Sequence, residues 1–411
     1  MAASYEPRPT SDGVPRPIYD DVPSRAIAVQ LPPAMAQYAR SLLRWRPQCE
    51  ITVLREGAET FPAMLEAIAA AKTSILLEVY ILAADTTGER FKAALLERAR
   101  AGITVRILYD AVGSFGLATS WSDELRAAGV EVHAFNPIGL WRRRFRWSHR
   151  DHRKILVVDD QVAFTGGLNI ANDYASLEDG GKGWHDMHCR VRGPAVLDLS
   201  RLFRRTWLAS SGTPYPAPQR ASEAPAGPGA SFARVIENTK RRQRGAFRRT
   251  YLHVIKHARN AVLIDNAYFL PERRVRRALA RAVRRGVKVS VIVPGHSDVK
   301  MVEYASDYVL RRLAKRGVEV LRWQGSMMHA KTAVVDGVWS TIGSYNFDAQ
   351  SRLNNLEVTV EILDPVVGAE MVDEFTQSRT NCVLYDEAAW LALPWYRKVL
   401  AWIGYRLRGI L

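Results

Sequence analysis

The chain is short of cysteine, of acidic charge and of long apolar runs. Its three cysteines, Cys49, Cys189 and Cys382, are scattered over 411 residues. An odd, dispersed set suggests neither a disulfide framework nor a zinc site, so reduced, buried thiols are expected. Asp and Glu number 42 against 58 Lys and Arg, for a net charge of +16. That excess predicts an anionic partner, either nucleic acid or an anionic membrane. No apolar stretch approaches the roughly 20 residues that span a bilayer. The opening MAASYEPRPTSDGVPRP has no apolar core and does not read as a secretory signal. A cytoplasmic chain, soluble or attached to a membrane surface, is expected.

What is present is a pattern that occurs twice. His-x-Lys-x4-Asp-x6-Gly-x2-Asn is found as His152, Lys154, Asp159, Gly166 and Asn169, and again as His329, Lys331, Asp336, Gly343 and Asn346. Two chance matches in a chain of this length have odds on the order of 10⁻⁸. The surroundings repeat as well. SILLEVYIL, ITVRILYD and VEVHAF alternate with helical stretches in the first half. AVLIDNAYFLP, VKVSVIVPG and VEVLRW do so in the second. This predicts an α/β fold of two duplicated lobes with mainly parallel strands, related by a pseudo-twofold axis that brings the two motifs together at their interface. The expected divisions are a proline-rich N-terminus (1–33), a first lobe (34–209), a linker (210–231), a second lobe (232–384) and a C-terminal helix (385–411).

Within each motif His and Lys are two apart, so on a strand they share a face. A neutral imidazole can attack a phosphodiester, and a second, protonated one can supply the proton a leaving alkoxide needs. We expect His152 to be the nucleophile and His329 the acid, although the two motifs are equivalent on paper. Lys154 and Lys331 would offset charge on the phosphoryl oxygens. Asn169, Asn346 and Ser344 are candidate donors to the same oxygens. Each imidazole needs an acceptor to fix its tautomer, and Asp186 and Glu357 interrupt apolar strands downstream of the motifs. Asp159 and Asp336 have two readings of equal weight: turn-forming residues or direct participants. The remaining histidines lack a metal-ligand pattern, and neither metal nor cofactor is expected.

These residues resemble the phospholipase D superfamily, whose hallmark is the duplicated His-x-Lys-x4-Asp pattern. The resemblance spans roughly residues 46–382. It implies two α/β lobes, one shared site, no metal and transfer through a phosphohistidine. It also implies a role for Asp159 and Asp336 as members of the signature. FTGGLNIANDYA, WHDMHCRVRGPAVLDLSRLFRRTW and GSYNFDAQSRLNNLEVTVEILD look like the bacterial cardiolipin synthases, specifically a short type without transmembrane helices. The implied reaction joins two phosphatidylglycerols, or one with another phospholipid, and releases a small alcohol.

Two segments suit a membrane surface. One is IGLWRRRFRWSHR, where Trp141, Phe145 and Trp147 interleave with arginines. The other is LPWYRKVLAWIGYRLRGIL. There Trp395, Val399, Trp402, Ile403, Leu407 and Ile410 share one face, Arg397, Lys398, Tyr405 and Arg408 take the other, and Arg406 breaks the pattern. A peripheral enzyme on the cytoplasmic side of the membrane is expected. Three other readings remain open: a nuclease or phosphodiesterase, a phospholipase D or phosphatidylserine synthase, and a catalytically silent membrane binder.

Overall fold

The computed structural model describes residues 29–137, 149–215, 229–239, 243, 245–297 and 299–407. The basic loop bearing Trp141, Phe145 and Trp147 lies outside them.

Seven strands form the first half: β1 (Arg46–Arg55), β2 (Ser74–Val79), β3 (Thr104–Asp110), β4 (Glu131–Phe135), β5 (Ile155–Val158), β6 (Val162–Gly166) and β7 (Met187–Arg192). The second half repeats them as β8 (Ser231–Glu237), β9 (Ala261–Asn266), β10 (Lys288–Pro294), β11 (Glu319–Trp323), β12 (Lys331–Val335), β13 (Trp339–Gly343) and β14 (Val358–Leu363). An edge strand, β15 (Cys382–Leu384), follows. The first half is ordered β4-β3-β2-β5-β6-β7-β1 and the second β11-β10-β9-β12-β13-β14-β8. The halves join through β1 and β8, paired antiparallel with Arg46 opposite Ala233. The duplicated order is the expected pair of lobes.

The expectation of mainly parallel strands is corrected. Parallel pairing is confined to β2-β3-β4 and β9-β10-β11, where helices make the crossovers. The motif strands β5 and β12 instead return antiparallel along the free edges of β2 and β9. Each then reverses in a tight turn. Asp159 and Asp160 both take positive φ, as do Asp336 and Gly337.

Helices Glu56–Ala69, Thr86–Arg100 and Thr119–Ala127 cover the outer face of the first half-sheet. Helices Ala246–His257, Arg273–Arg284 and Lys300–Ala314 cover that of the second. With both faces covered, β2 is buried at every position, which is why SILLEV reads as an unbroken apolar run. The inner faces share a third core, with Leu76, Val157 and Cys189 from one half and Leu263, Val334 and Val360 from the other. Helices Val196–Ser211 and Pro365–Thr380 pack into it through Phe203, Trp207, Met371 and Phe375. One rigid interface therefore carries both motifs.

The C-terminal stretch forms two helices, Glu387–Ala392 and Trp395–Leu407, and not one. The second docks on helix Lys300–Ala314 through a narrow, small-residue edge. Ala401 and Gly404 are buried, Tyr405 packs on Tyr308 with centroids 4.5 Å apart, and Arg397 donates to the Tyr304 hydroxyl at 3.1 Å. The apolar face is left outside, with Trp395 75% and Trp402 49% exposed. Among the described residues no helix is long and apolar enough to cross a membrane.

Candidate active site

Four short segments meet where the halves join. Asp151 bridges to Leu356, and His185 to Met328. The His152 N–H donates to Leu356 O at 3.0 Å, and the His329 N–H to His185 O at 2.7 Å. Each motif is thus tied to the stretch that precedes an acidic residue of the opposite half. From behind, Asp110 at the end of β3 accepts the Asp151 N–H at 2.8 Å, and buried Arg153 grips Asp151 at 3.0 Å.

The outcome is a crossed pairing. His152 Nδ1 lies 3.1 Å from Glu357 Oε2, and His329 Nδ1 lies 2.6 Å from Asp186 Oδ2. Asp186 and Glu357 thus stand where acceptors were expected, each serving the histidine of the other half. A carboxylate at Nδ1 takes that proton as a hydrogen bond and leaves the Nε2 lone pair free. Lys154 Nζ donates to His152 O at 2.7 Å, and Lys331 Nζ to His329 O. Lys331 Nζ also lies 2.8 Å from His329 Nδ1 and 3.8 Å from Asp186 Oδ2. All four side chains are buried.

Burial and charge set the protonation states. Burial holds His152 below the usual imidazole range, aided by Lys154 and Lys331 and opposed by Glu357. Burial, and then the Lys331 charge, push His329 down as well, to about 4. Lys154 is lowered to about 7, first by burial and then by Lys331, against the pull of Glu357 and Asp186. Burial would raise Asp186, but Lys331 and His329 outweigh it and hold it below the usual carboxylate range. Each half feels the charges of the other, as a single site requires.

Several sequence expectations are corrected. Asp159 and Asp336 are at the far ends of β5 and β12. Asp159 accepts the N–H groups of Lys72, Thr73 and Ser74 at 2.7–2.8 Å. Asp336 accepts those of Arg259, Asn260 and Ala261 at 2.7–2.8 Å and the Tyr38 hydroxyl at 2.6 Å. Both clamp a hairpin turn and neither reaches the histidines. Asn169 is committed at both ends, accepting the Ile81 N–H at 3.0 Å and donating to the Tyr174 hydroxyl at 2.7 Å. Ser344 is turned onto Glu357 and so orients a carboxylate. Asn346 is buried with its Oδ1 unpartnered, an acceptor where a donor to phosphoryl oxygens was expected. Gly167, the counterpart of Ser344, makes room for the other carboxylate, because a Cβ there would lie 2.1 Å from Asp186 Oδ1.

Four aromatic residues that sequence reasoning missed surround the imidazoles. Tyr80 lies 5.0 Å from His152, and Tyr174, Trp184 and Tyr268 lie 5.5, 5.9 and 6.5 Å from His329. Tyr80 and Tyr268 sit in apolar runs where an aromatic ordinarily means core, and Tyr174 and Trp184 in polar loop segments outside any repeated spacing, so local pattern held no signal for them.

A duplicated α/β fold with paired histidines and lysines at one interface defines a phospholipase-D-like protein. The family model described as "Cardiolipin synthase, PLD-like domain" matches residues 64–207 and 251–379. Cardiolipin synthase B of Salmonella typhi is 33% identical over 367 residues, covering 86% of this chain and 86% of that one. The cardiolipin synthase of Geobacillus kaustophilus is 34% identical over 374 residues, covering 88% of this chain and 74% of that one. Among solved structures, phosphatidylserine synthase of Haemophilus influenzae superposes with a TM-score of 0.68 at 16% identity, over 89% of this chain and 97% of that one. The chain belongs to the cardiolipin synthase family of phospholipase-D-like proteins.

Proposed function

We propose that this protein is a phosphatidyltransferase that makes cardiolipin from two phosphatidylglycerols, or from one and another phospholipid, with release of a small alcohol. The observation that carries this reading is the crossed pair of imidazole–carboxylate contacts, each with a lysine beside it, in one buried cleft of a chain from this family.

The electrostatics favour the reverse of the roles expected from sequence. His329, lowered to about 4 and tied to Asp186 through Nδ1 at 2.6 Å against 3.1 Å for His152 and Glu357, is assigned as the nucleophile. Its Nε2 attacks phosphorus, and the phosphorus–oxygen bond to the glycerol headgroup breaks. The bound phosphodiester anion favours the imidazolium form of His152, and the departing alkoxide takes the proton from its Nε2. A hydroxyl of the second lipid then gives its proton back to His152 and attacks phosphorus. The phosphorus–nitrogen bond breaks and the product leaves. Lys154 and Lys331 stabilise the equatorial oxygens throughout. Tyr80, Tyr174, Trp184 and Tyr268 line the cleft with apolar surface, which favours a lipid hydroxyl over water.

The reading places the protein peripherally on the cytoplasmic face of an anionic membrane, with Trp395, Trp402 and Ile403 turned toward lipid. The exposed apolar face of a helix that is already docked supports this. The test is product analysis with phosphatidylglycerol vesicles. Cardiolipin and free glycerol in equal amounts are expected. Phosphatidic acid alone would make the protein a hydrolase, and turnover of oligonucleotides in place of lipid would make it a phosphodiesterase.

A further inference from the structure

Arg406 interrupts the apolar face of the last helix, and the fold gives that interruption a purpose. It lines a cavity of about 360 Å³ together with Leu270, Glu272, Arg273, Asp348 and Arg352. Both acidic members are already engaged. Glu272 is held by Arg248 at 2.9 Å and by Arg352 at 2.7 Å, while Asp348 accepts the Ser351 N–H at 2.6 Å. Arg273 and Arg406 have no carboxylate partner among the described residues. The cavity therefore keeps an excess of guanidinium groups, the chemistry that recognises a phosphodiester. One wall is continuous with the exposed apolar face, since the Arg406 guanidinium lies over the Trp402 ring at 5.6 Å. Two other lining residues lie close in the chain to residues of the candidate active site. Leu270 is two residues from Tyr268 in the aromatic rim, and Asp348 is two residues from Asn346 in the second motif.

We propose that this cavity is a second lipid-headgroup site. Arg273, Arg352 and Arg406 hold the phosphate of an anionic phospholipid while its acyl chains stay in the bilayer beside Trp402 and Ile403. The site is separate from the catalytic phosphate position and holds a lipid next to the cleft. It rests on the membrane reading above but not on the reaction itself.

The test is co-sedimentation of the full chain with phosphatidylcholine vesicles, with and without phosphatidylglycerol. Arg273→Gln/Arg406→Gln is compared with Arg277→Gln/Arg281→Gln, which removes the same charge from exposed positions further along the helix that carries Arg273. Turnover of a water-soluble phosphodiester reports folding. We expect the first variant to lose the phosphatidylglycerol-dependent part of binding by on the order of tenfold, while the control changes little. Equal loss in both variants would reduce the effect to diffuse charge and overturn the site. Binding of soluble glycerophosphoglycerol as tight as that of the lipid would overturn the lipid assignment. A protein that makes no cardiolipin yet shows the variant-specific loss would refute the proposed reaction and leave this site standing.

Discussion

Replacing Asp159 by Ala should cost stability and spare chemistry, although Asp159 belongs to the signature motif. Its carboxylate accepts three backbone N–H groups at 2.7–2.8 Å and the Thr73 hydroxyl at 2.8 Å. At about 1 kcal/mol for each net bond, the four anchor the turn by ~4 kcal/mol. Water reaching the freed donors of this half-exposed turn returns part of that, so a loss of about 2–3 kcal/mol is expected. Seven extended residues separate Asp159 from His152, on the order of 20 Å. Turnover per folded molecule should therefore stay within about twofold of the parent. The effect should also depend on pH. Burial pushes Asp159 up, but its four donors outweigh burial and hold it below the usual carboxylate range. A depressed pKa contributes stability that is present above the unfolded value and is lost as pH falls through the folded one. The gap between parent and variant should then be full at pH 7 and close below about pH 4. Urea unfolding across that range, beside turnover of a soluble phosphodiester, measures both. An unchanged unfolding midpoint with a hundredfold loss of turnover would refute the structural reading of this residue.

Gly167→Ala should push a methyl group into the Asp186 carboxylate and lower kcat on the order of a hundredfold without unfolding the chain. Parent-like kcat would show that Asp186 is not needed where it stands. Asp186→Asn should perturb the imidazole resonance of His329 and not that of His152, and Glu357→Gln the converse, each with a loss on the order of 10²–10³ in kcat. Perturbation within the same half would contradict the crossed pairing. With Lys154 lowered to about 7, it loses its charge above that pH in the free protein, so kcat/KM should fall there. In the complex a bound phosphate favours the ammonium, and the kcat limb should move to higher pH; coincident limbs would count against Lys154 as a phosphate ligand. Trp395→Glu/Trp402→Glu should weaken vesicle binding at least tenfold and leave soluble-substrate turnover intact.

Repetition made the candidate site legible in the sequence. Two copies of one spacing located His152, Lys154, His329 and Lys331, and the downstream polar breaks in apolar strands located Asp186 and Glu357. Local pattern also reached the parallel triplets, where apolar runs alternate with helices. It did not reach what depends on distant pairing. The antiparallel return of β5 and β12 is set by which edge of β2 and β9 remains open. The exchange of carboxylates between halves is set by the bridges Asp151–Leu356 and His185–Met328. Asp159 and Asp336 kept two readings because strand parity says which way a residue points and not what waits there. The last helix was legible as amphipathic, yet Ala401 and Gly404 choose the docking edge by allowing close approach, a property of surface shape that an apolar count does not record.

The most direct test of the account is to trap the covalent intermediate. Protein mixed briefly with phosphatidylglycerol vesicles, quenched in base and digested, is searched by mass spectrometry for a phosphatidyl adduct on histidine. The account predicts the adduct on His329, absent from His329→Ala and accumulating in His152→Ala, where no acid–base partner remains to pass the group on. Product formation with no histidine adduct in any variant, or an adduct that persists in His329→Ala, would contradict it.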